Sequence, residues 1–291
     1  MEKRTTEVIA IGNQKGGVGK TTNTLHLAAA LGELGKKVLV IDLDANCGAT
    51  RGLGLGDGWL GTFEVLMDEQ EPAEVVVRTD PVEDVELPRG VELLPARRNL
   101  EAFEDELRRR NKYAVPHQRL GPVIEKLRGE YDFILLDTAP NASAPTVGAY
   151  LFADWFILST EPARLSVDGL SDALEDITEA QDEGNADLRL LGVVMSKVQK
   201  GTKVAQAFME QIRAEFAASG MLGAFESTIG RATAIELAQG TGKTLFQTEP
   251  GHKVAEQYRE LAKEVIARLD AAKRADSQAE VKLDAREAAN A

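Results

Sequence analysis

The sequence predicts an α/β protein with a doubly wound, mostly parallel sheet. Three observations predict it. Short apolar runs alternate with segments of helical spacing along most of the chain. A glycine- and lysine-rich segment, Gly12–Thr22, stands between the first apolar run and the first helical one. Two further apolar runs end in aspartate, so the polar motifs gather at the carboxyl ends of strands, where such sheets bind ligands.

The elements follow in order. Val8–Ile11 is apolar, ends at Gly12 and reads as a buried strand. In Thr21–Leu34, Leu27, Ala30, Leu31 and Leu34 share one helical face, and Gly35 supplies the C-cap. Val38–Ile41 is the second strand. Gly48–Gly61 holds six glycines and reads as an irregular loop. Thr62–Met67 and Pro72–Val77 read as short helices. Asp80–Gly90, with two prolines and several acids, reads as a surface loop. Val91–Leu94 is a strand stopped by Pro95, Leu100–Arg110 a charged helix, Gln118–Leu127 a helix, and Tyr131–Leu136 a strand ending at Asp137. Strands Trp155–Leu158, Leu190–Met195 and Ser227–Ile229 follow, with helices near Val167–Gln181 and Val204–Ala218 and a final helix over Val254–Leu269. These elements fill a single expected domain, residues 1–270. Residues 271–291 are alanine-rich and charged, with Val281 and Leu283 too few to make an apolar face, and read as a frayed helix or disordered tail.

Composition narrows the function classes. The 291 residues are 43% hydrophobic and 28% charged, as in ordinary globular proteins. A net charge of −13 excludes a simple polycation that coats DNA but permits a local basic face. The one cysteine, Cys47, excludes an intramolecular disulfide, a CxxC zinc site and a cluster held by several thiolates of one chain. His26, His117 and His252 show no metal-ligand spacing. The longest apolar run, Val147–Ala153, is far below the ~20 residues a bilayer span requires. The first residues offer only Val8–Ile11 as an apolar stretch, too short for a signal peptide. The expectation is a cytoplasmic protein.

Residues 12–22 read GNQKGGVGKTT. Gly19-Lys20-Thr21 supplies the second half of the GxxxxGK[ST] pattern, whereas Gln14 occupies the position of its first glycine, so the loop is a variant. Glycines let backbone N–H groups approach phosphate oxygens, and the helix that starts near Lys20 adds its positive end. Lys20 is expected to reach the β- and γ-phosphates and the Thr21 hydroxyl to bind Mg²⁺. Asp42 and Asp44 share one side of an extended segment. Asp137, ending the run Phe133–Leu136, matches a Walker B aspartate that meets Mg²⁺ through water. Gly240-Thr241-Gly242-Lys243-Thr244 contains a second GKT, but Leu237 stands where a glycine is needed and a helix precedes it, so it reads as a turn. Gly52-x-Gly54-x-Gly56 follows no strand and reads as a loop beside the nucleotide or a dimer seam.

KGGVGKTT, with the extra lysine Lys15, resembles the deviant Walker A motif of the ParA/MinD ATPases. DLDAN at residues 42–46 resembles that family's DxDPQ, with Ala45-Asn46 replacing Pro-Gln, and Asp137-Thr138-Ala139-Pro140 its DTxP. Leu93–Ala96 and Thr228–Arg231 resemble its LLPA and VIPR segments, with Gly230 in place of proline. The resemblance runs from Glu7 to about Leu269 and is nearest to the short partition ATPases that lack an N-terminal helix-turn-helix extension. It implies a P-loop NTPase fold of the deviant Walker A type and a slow, partner-stimulated ATPase using ATP and Mg²⁺. Residues Gly16, Gly17, Val18, Gly19, Lys20, Thr21 and Thr22 would hold the phosphates. Lys15 would reach across an ATP-dependent homodimer to the partner's nucleotide, Asp44 would orient the attacking water, and Asp42 would support it near Mg²⁺. Ser196 and Ile229–Arg231 would lie near the adenine.

The resemblance further implies plasmid or chromosome partition, with the ATP-bound dimer binding DNA without sequence preference and a centromere-binding protein stimulating hydrolysis. That would make the protein nucleoid-associated. Lys197, Lys200, Lys203, Arg213 and Arg231 are the candidate DNA contacts, since lysines can replace family arginines as point charges on phosphates; solvated surface charges are the plain alternative. Competing readings are a relative that positions a protein cargo through an adaptor, a MinD-like membrane-positioning protein and an ATP-dependent ligase of small molecules. Residues 271–291 lack the basic and bulky apolar faces that membrane binding requires, so no membrane partner is expected.

Overall fold

The computed structural model describes residues 5–78, 85–162, 167–199, 206–207, 210–212, 214 and 223–290, with only the backbone course given for 167–173 and 280–290. Six strands form one parallel sheet: β1 (Glu7–Gly12), β2 (Val38–Asp42), β3 (Val91–Leu94), β4 (Phe133–Asp137), β5 (Trp155–Thr160) and β6 (Arg189–Met195), in the order β3-β2-β4-β1-β5-β6. The chain leaves β1 towards β2 on one side and later returns to place β5 on its other side. The carboxyl end of β1 is therefore a switch point, the place where open α/β sheets bind ligands.

The apolar runs are continuous because both faces of the sheet are covered. Val8, Ala10, Leu39, Ile41, Ile134 and Leu136 point to one face, towards α5 (Phe103–Arg110), α6 (Leu120–Leu127) and α7 (Ala144–Phe152). Ile9, Ile11, Val38, Val40 and Leu135 point to the other, towards α1 (Lys20–Glu33) and the final helix, α11 (Lys253–Asn290). The chain further forms four short helices, α2 (Gly48–Gly52), α3 (Thr62–Leu66), α4 (Pro72–Val75) and α10 (Leu245–Thr248), together with α8 (Val167–Asp182) and α9 (Thr233–Gly240).

Three differences from the sequence expectation have physical causes, and a fourth feature extends an expected helix. Part of the expected loop Gly48–Gly61 is helical: the Asp42 carboxylate accepts both the N–H (2.8 Å) and the hydroxyl (2.7 Å) of Thr50 and so fixes α2. Ser227–Ile229 is not a strand. The Glu264 carboxylate takes the N–H groups of Glu226 and Ser227, leaving only single bridges on either side, at Ala224 and Gly230. The apolar stretch around Val147–Ala153 belongs to a helix, α7, which Pro145 opens in its first turn. The final helix runs on through residues 271–290. Its early part is tied to the sheet by Arg189–Asp276 (3.0 Å) and Lys273–Glu7 ion pairs. The expected helix Val204–Ala218 lies largely outside the described residues.

His26 fastens α1 to the C-terminal elements. It is fully buried and stacks on Tyr258 at 5.0 Å between centroids. Leu245 N–H donates to Nε2, so Nδ1 carries the proton and donates to Thr22 O. Burial pushes its pKa down to about 4. A neutral imidazole favoured by the fold contributes stability that is present above its unfolded pKa and is lost as pH falls. Between pH 6.5 and 4 the wild type is therefore expected to lose on the order of 3 kcal/mol more stability than His26→Gln does. Urea denaturation of both proteins across this range checks it, and parallel pH profiles would refute it.

Candidate nucleotide site

The phosphate loop joins β1 to α1 at the switch point. Gly17 and Gly19 adopt φ of 76° and 94°, which a side chain disfavours, and this alternation turns the backbone into a cradle of N–H groups. Gly12 is required for a different reason: a Cβ there would lie 2.5 Å from the Phe156 ring and 2.6 Å from the Tyr150 hydroxyl.

The loop's own carbonyls are tied down. Lys20 is buried, and its Nζ donates to Asn13 O (2.9 Å) and Lys15 O (3.3 Å). Burial lowers the Lys20 pKa, while Asp137 and Asp44 oppose that shift. Asn13 braces the loop from below: its amide donates to Ser159 O and its Oδ1 accepts the Lys15 N–H, both at 2.8 Å. Among the described residues the Lys15 ammonium has no hydrogen-bond or ion-pair partner, in contrast to that of Lys20.

The three aspartates converge beside the loop. Asp42 and Asp137 face each other in the register of β2 and β4, and both are fully buried. Burial first, then mutual repulsion among the acids, raises the pKa of Asp137; burial likewise dominates the rise at Asp42. Asp137 accepts hydrogen bonds from Thr21 (2.8 Å) and Thr24 (3.1 Å). Asp42 accepts the Asp44 N–H (3.1 Å) besides its two bonds from Thr50. Asp44 is half-buried, and its Oδ1 accepts both the N–H and the side-chain amide of Asn46, at 2.9 and 3.0 Å. The replacement of Pro-Gln by Ala45-Asn46 thus supplies a local turn that holds Asp44. The Thr21 hydroxyl beside a buried carboxylate is an all-oxygen donor set, which suits a hard cation such as Mg²⁺.

On the other side of the loop lies a cavity of about 230 Å³. Thr22, Asn23, Ser196, Ile229, Arg231 and Tyr258 are among its lining residues, so the positions expected near a base do gather here. Asn23 and Tyr258 were not singled out by the sequence. The Asn23 amide donates to Ser159 and Ser196, and its Oδ1 accepts the Tyr258 hydroxyl, all at 2.8 Å. One buried side chain thereby joins α1, β5, the end of β6 and α11. No local pattern around Asn23 announces this, because its partners are 136 to 235 residues away.

Of the five candidate DNA contacts, Lys200, Lys203 and Arg213 lie outside the described residues. Arg231 is exposed at the mouth of the cavity. Lys197 is also exposed but bends to the phosphate loop, donating to Gly17 O at 2.6 Å. The two glycine motifs away from the phosphate loop meet each other: a Cβ on Gly242 would lie 2.3 Å from the Gly54 Cα. Among the described residues no helix is long and apolar enough to cross a membrane.

The AAA domain family matches residues 6–190. The chain is 36% identical to the chromosome-partitioning ATPase Soj of Thermus thermophilus, over 91% of this chain and 97% of that protein. Among solved structures, cobyrinic acid a,c-diamide synthase from Mycobacterium smegmatis with bound ATP analogue and magnesium superposes with a TM-score of 0.74. It shares 29% identity, over 89% of this chain and 93% of that one. The septum site-determining protein MinD from Pyrococcus horikoshii, complexed with Mg-ADP, gives a TM-score of 0.69 and 26% identity, over 89% and 96%.

Asn23→Ala would leave the buried groups of Tyr258, Ser159 and Ser196 short of partners. It is expected to cost about 2–3 kcal/mol of stability, against about 1 for Tyr258→Phe, which removes only one hydroxyl. Chemical denaturation of the two variants checks the order; equal costs would show that Asn23 is not the hub.

Proposed function

The chain belongs to the ParA/MinD family of deviant Walker A ATPases, and from that premise we propose that it is a Mg-ATP-dependent dimerisation switch acting in DNA partition. ATP and Mg²⁺ are its cofactors. The carrying observation is the convergence, at the switch point, of a two-lysine phosphate loop with Asp42, Asp44 and Asp137.

In this reading the N–H groups of residues 16–22 and the Lys20 ammonium bind the phosphates. Lys20 then exchanges its loop carbonyls for phosphate oxygens, a move that leaves its charge better compensated. The Thr21 hydroxyl and Asp137, which holds that hydroxyl, would hold the cation, and a bound Mg²⁺ would supply neutralisation of phosphate charge. Asp42 holds the backbone of Asp44, and Asp44 presents its carboxylate to the attacking water. Lys15, whose ammonium is not bound into its own loop, reaches the partner's nucleotide and steadies the charge that develops on phosphoryl transfer. Hydrolysis would then depend on dimerisation.

The dimer formed with ATP binds DNA without sequence preference and is released by hydrolysis, which a centromere-binding protein stimulates. With a net charge of −13, such binding must come from a local basic face and must weaken with salt.

Three measurements test the reading. Lys15→Ala is expected to bind ATP yet lose ATP-dependent dimerisation or hydrolysis. Asp44→Ala is expected to trap the ATP dimer, with turnover reduced by at least about 100-fold. Sedimentation and phosphate-release assays check both, and a Lys15→Ala protein that dimerises and hydrolyses like the wild type removes the role given to Lys15. Binding to a non-specific DNA duplex, compared with ATP, ADP and no nucleotide at two salt concentrations, is expected only with ATP and to fall as salt rises. ATP-dependent dimerisation without DNA binding in any state would point instead to a relative that positions a protein cargo.

A further inference from the structure

The end of β6 brings one more ammonium to the phosphate loop. Lys197 follows Ser196, whose N–H is held by Thr160 O at 2.7 Å, and Val198 N–H donates to Ile229 O at 2.9 Å. Between these two anchors Lys197 takes φ of 55°, in the left-handed region that side chains other than Gly, Asn and Asp rarely adopt. The consequence is the direction of its side chain. Its Nζ lies 2.6 Å from Gly17 O and 3.6 Å from the largely buried carboxylate of Glu161, just past β5.

The Gly17 carbonyl matters because a peptide unit is planar and trans: its C=O and the next N–H point in opposite directions. A donor that holds Gly17 O on the outside of the loop therefore sets where the Val18 N–H points. The next peptide is held in the same manner, by the Ser159 hydroxyl on Val18 O at 3.1 Å. Lys20 holds the carbonyls of Asn13 and Lys15. Of these holds, the one on Gly17 is the only one made by a side chain from the segment that follows the last strand.

We propose that Lys197 is a positioning residue of the nucleotide site: by holding Gly17 O it aims the Val18 N–H at a bound phosphate. The proposal rests on the nucleotide-binding reading above. It assigns Lys197 to the phosphate loop, not to a DNA surface. Loop N–H groups of this kind cradle the α- and β-phosphates, which ATP and ADP share. Loss of the hold should therefore weaken both nucleotides by the same factor. A role in contacting the γ-phosphate or DNA would not.

The test is titration calorimetry with ADP and with a non-hydrolysable ATP analogue, in Mg²⁺, on the full chain. Lys197→Met removes the ammonium. Lys197→Gly removes it while easing the left-handed backbone, so that a misfolded variant is not mistaken for a weakened site. Both variants are expected to bind both nucleotides about tenfold more weakly. Lys197→Arg, which keeps a donor, is expected to recover most of the loss. The proposal is overturned if both variants bind within about twofold of wild type, or if only Lys197→Met is impaired, since backbone geometry would then be the cause. It is also overturned if DNA binding falls while nucleotide affinity holds. Wild-type protein that binds neither nucleotide would overturn the nucleotide-site reading itself, a result distinct from each of these.

Discussion

Two carboxyl groups are buried side by side at the end of the sheet, and much of the surrounding structure answers to them. Asp42 and Asp137 sit opposite each other on adjacent strands without exposure to solvent. A buried carboxylate is tolerated only where hydrogen-bond donors surround it. Thr21 and Thr24 face Asp137 from the first turns of α1; Thr50 and the Asp44 backbone face Asp42. This requirement sets the start of α1 against β4, makes a short helix out of a glycine-rich loop and fixes the path of the chain at Asp44. Each of those features belongs to the site, so folding this corner and building the site are one process.

The phosphate loop obeys a second constraint, which is directional. An anion cradle works only if its carbonyls are turned away and kept there, and here Lys197 and Ser159 hold those of Gly17 and Val18. Asn13 and Asn23 then tie the loop and its helix to β5 and to α11. The buried side chains Asn13, Asn23, Ser159 and Ser196 are matched to partners, the condition under which buried polarity fixes one arrangement.

The sheet was legible because strands covered on both faces read as apolar runs, and six such runs became the six strands, β3 alone interrupted by a charged residue, Glu92. The phosphate loop and the three aspartates were legible because each lies within a few residues of a strand end. What escaped depends on distant partners. Ser227–Ile229 has strand-like residues, but Glu264 in the last helix competes for its N–H groups. The helix Ala144–Phe152 hid in a stretch whose small and apolar residues give no clear stripe, since it is buried on several sides. Asn23 and Tyr258 are ordinary helix residues until the chain's two ends meet. Lys197 read as a candidate DNA contact or a solvated charge because sequence does not disclose a left-handed backbone at a lysine.

Gly54 and Gly242 approach so closely that position 242 has no room for a side chain. The contact welds two segments with different neighbours. Gly54 lies just beyond α2, ten residues after Asp44, whereas Gly242 follows α9, whose Gln239 lines the cavity and meets the Thr22 hydroxyl at 3.4 Å. The cavity wall that carries Gln239 and the segment that follows Asp44 thus form one mechanical piece, and the two are not free to shift independently.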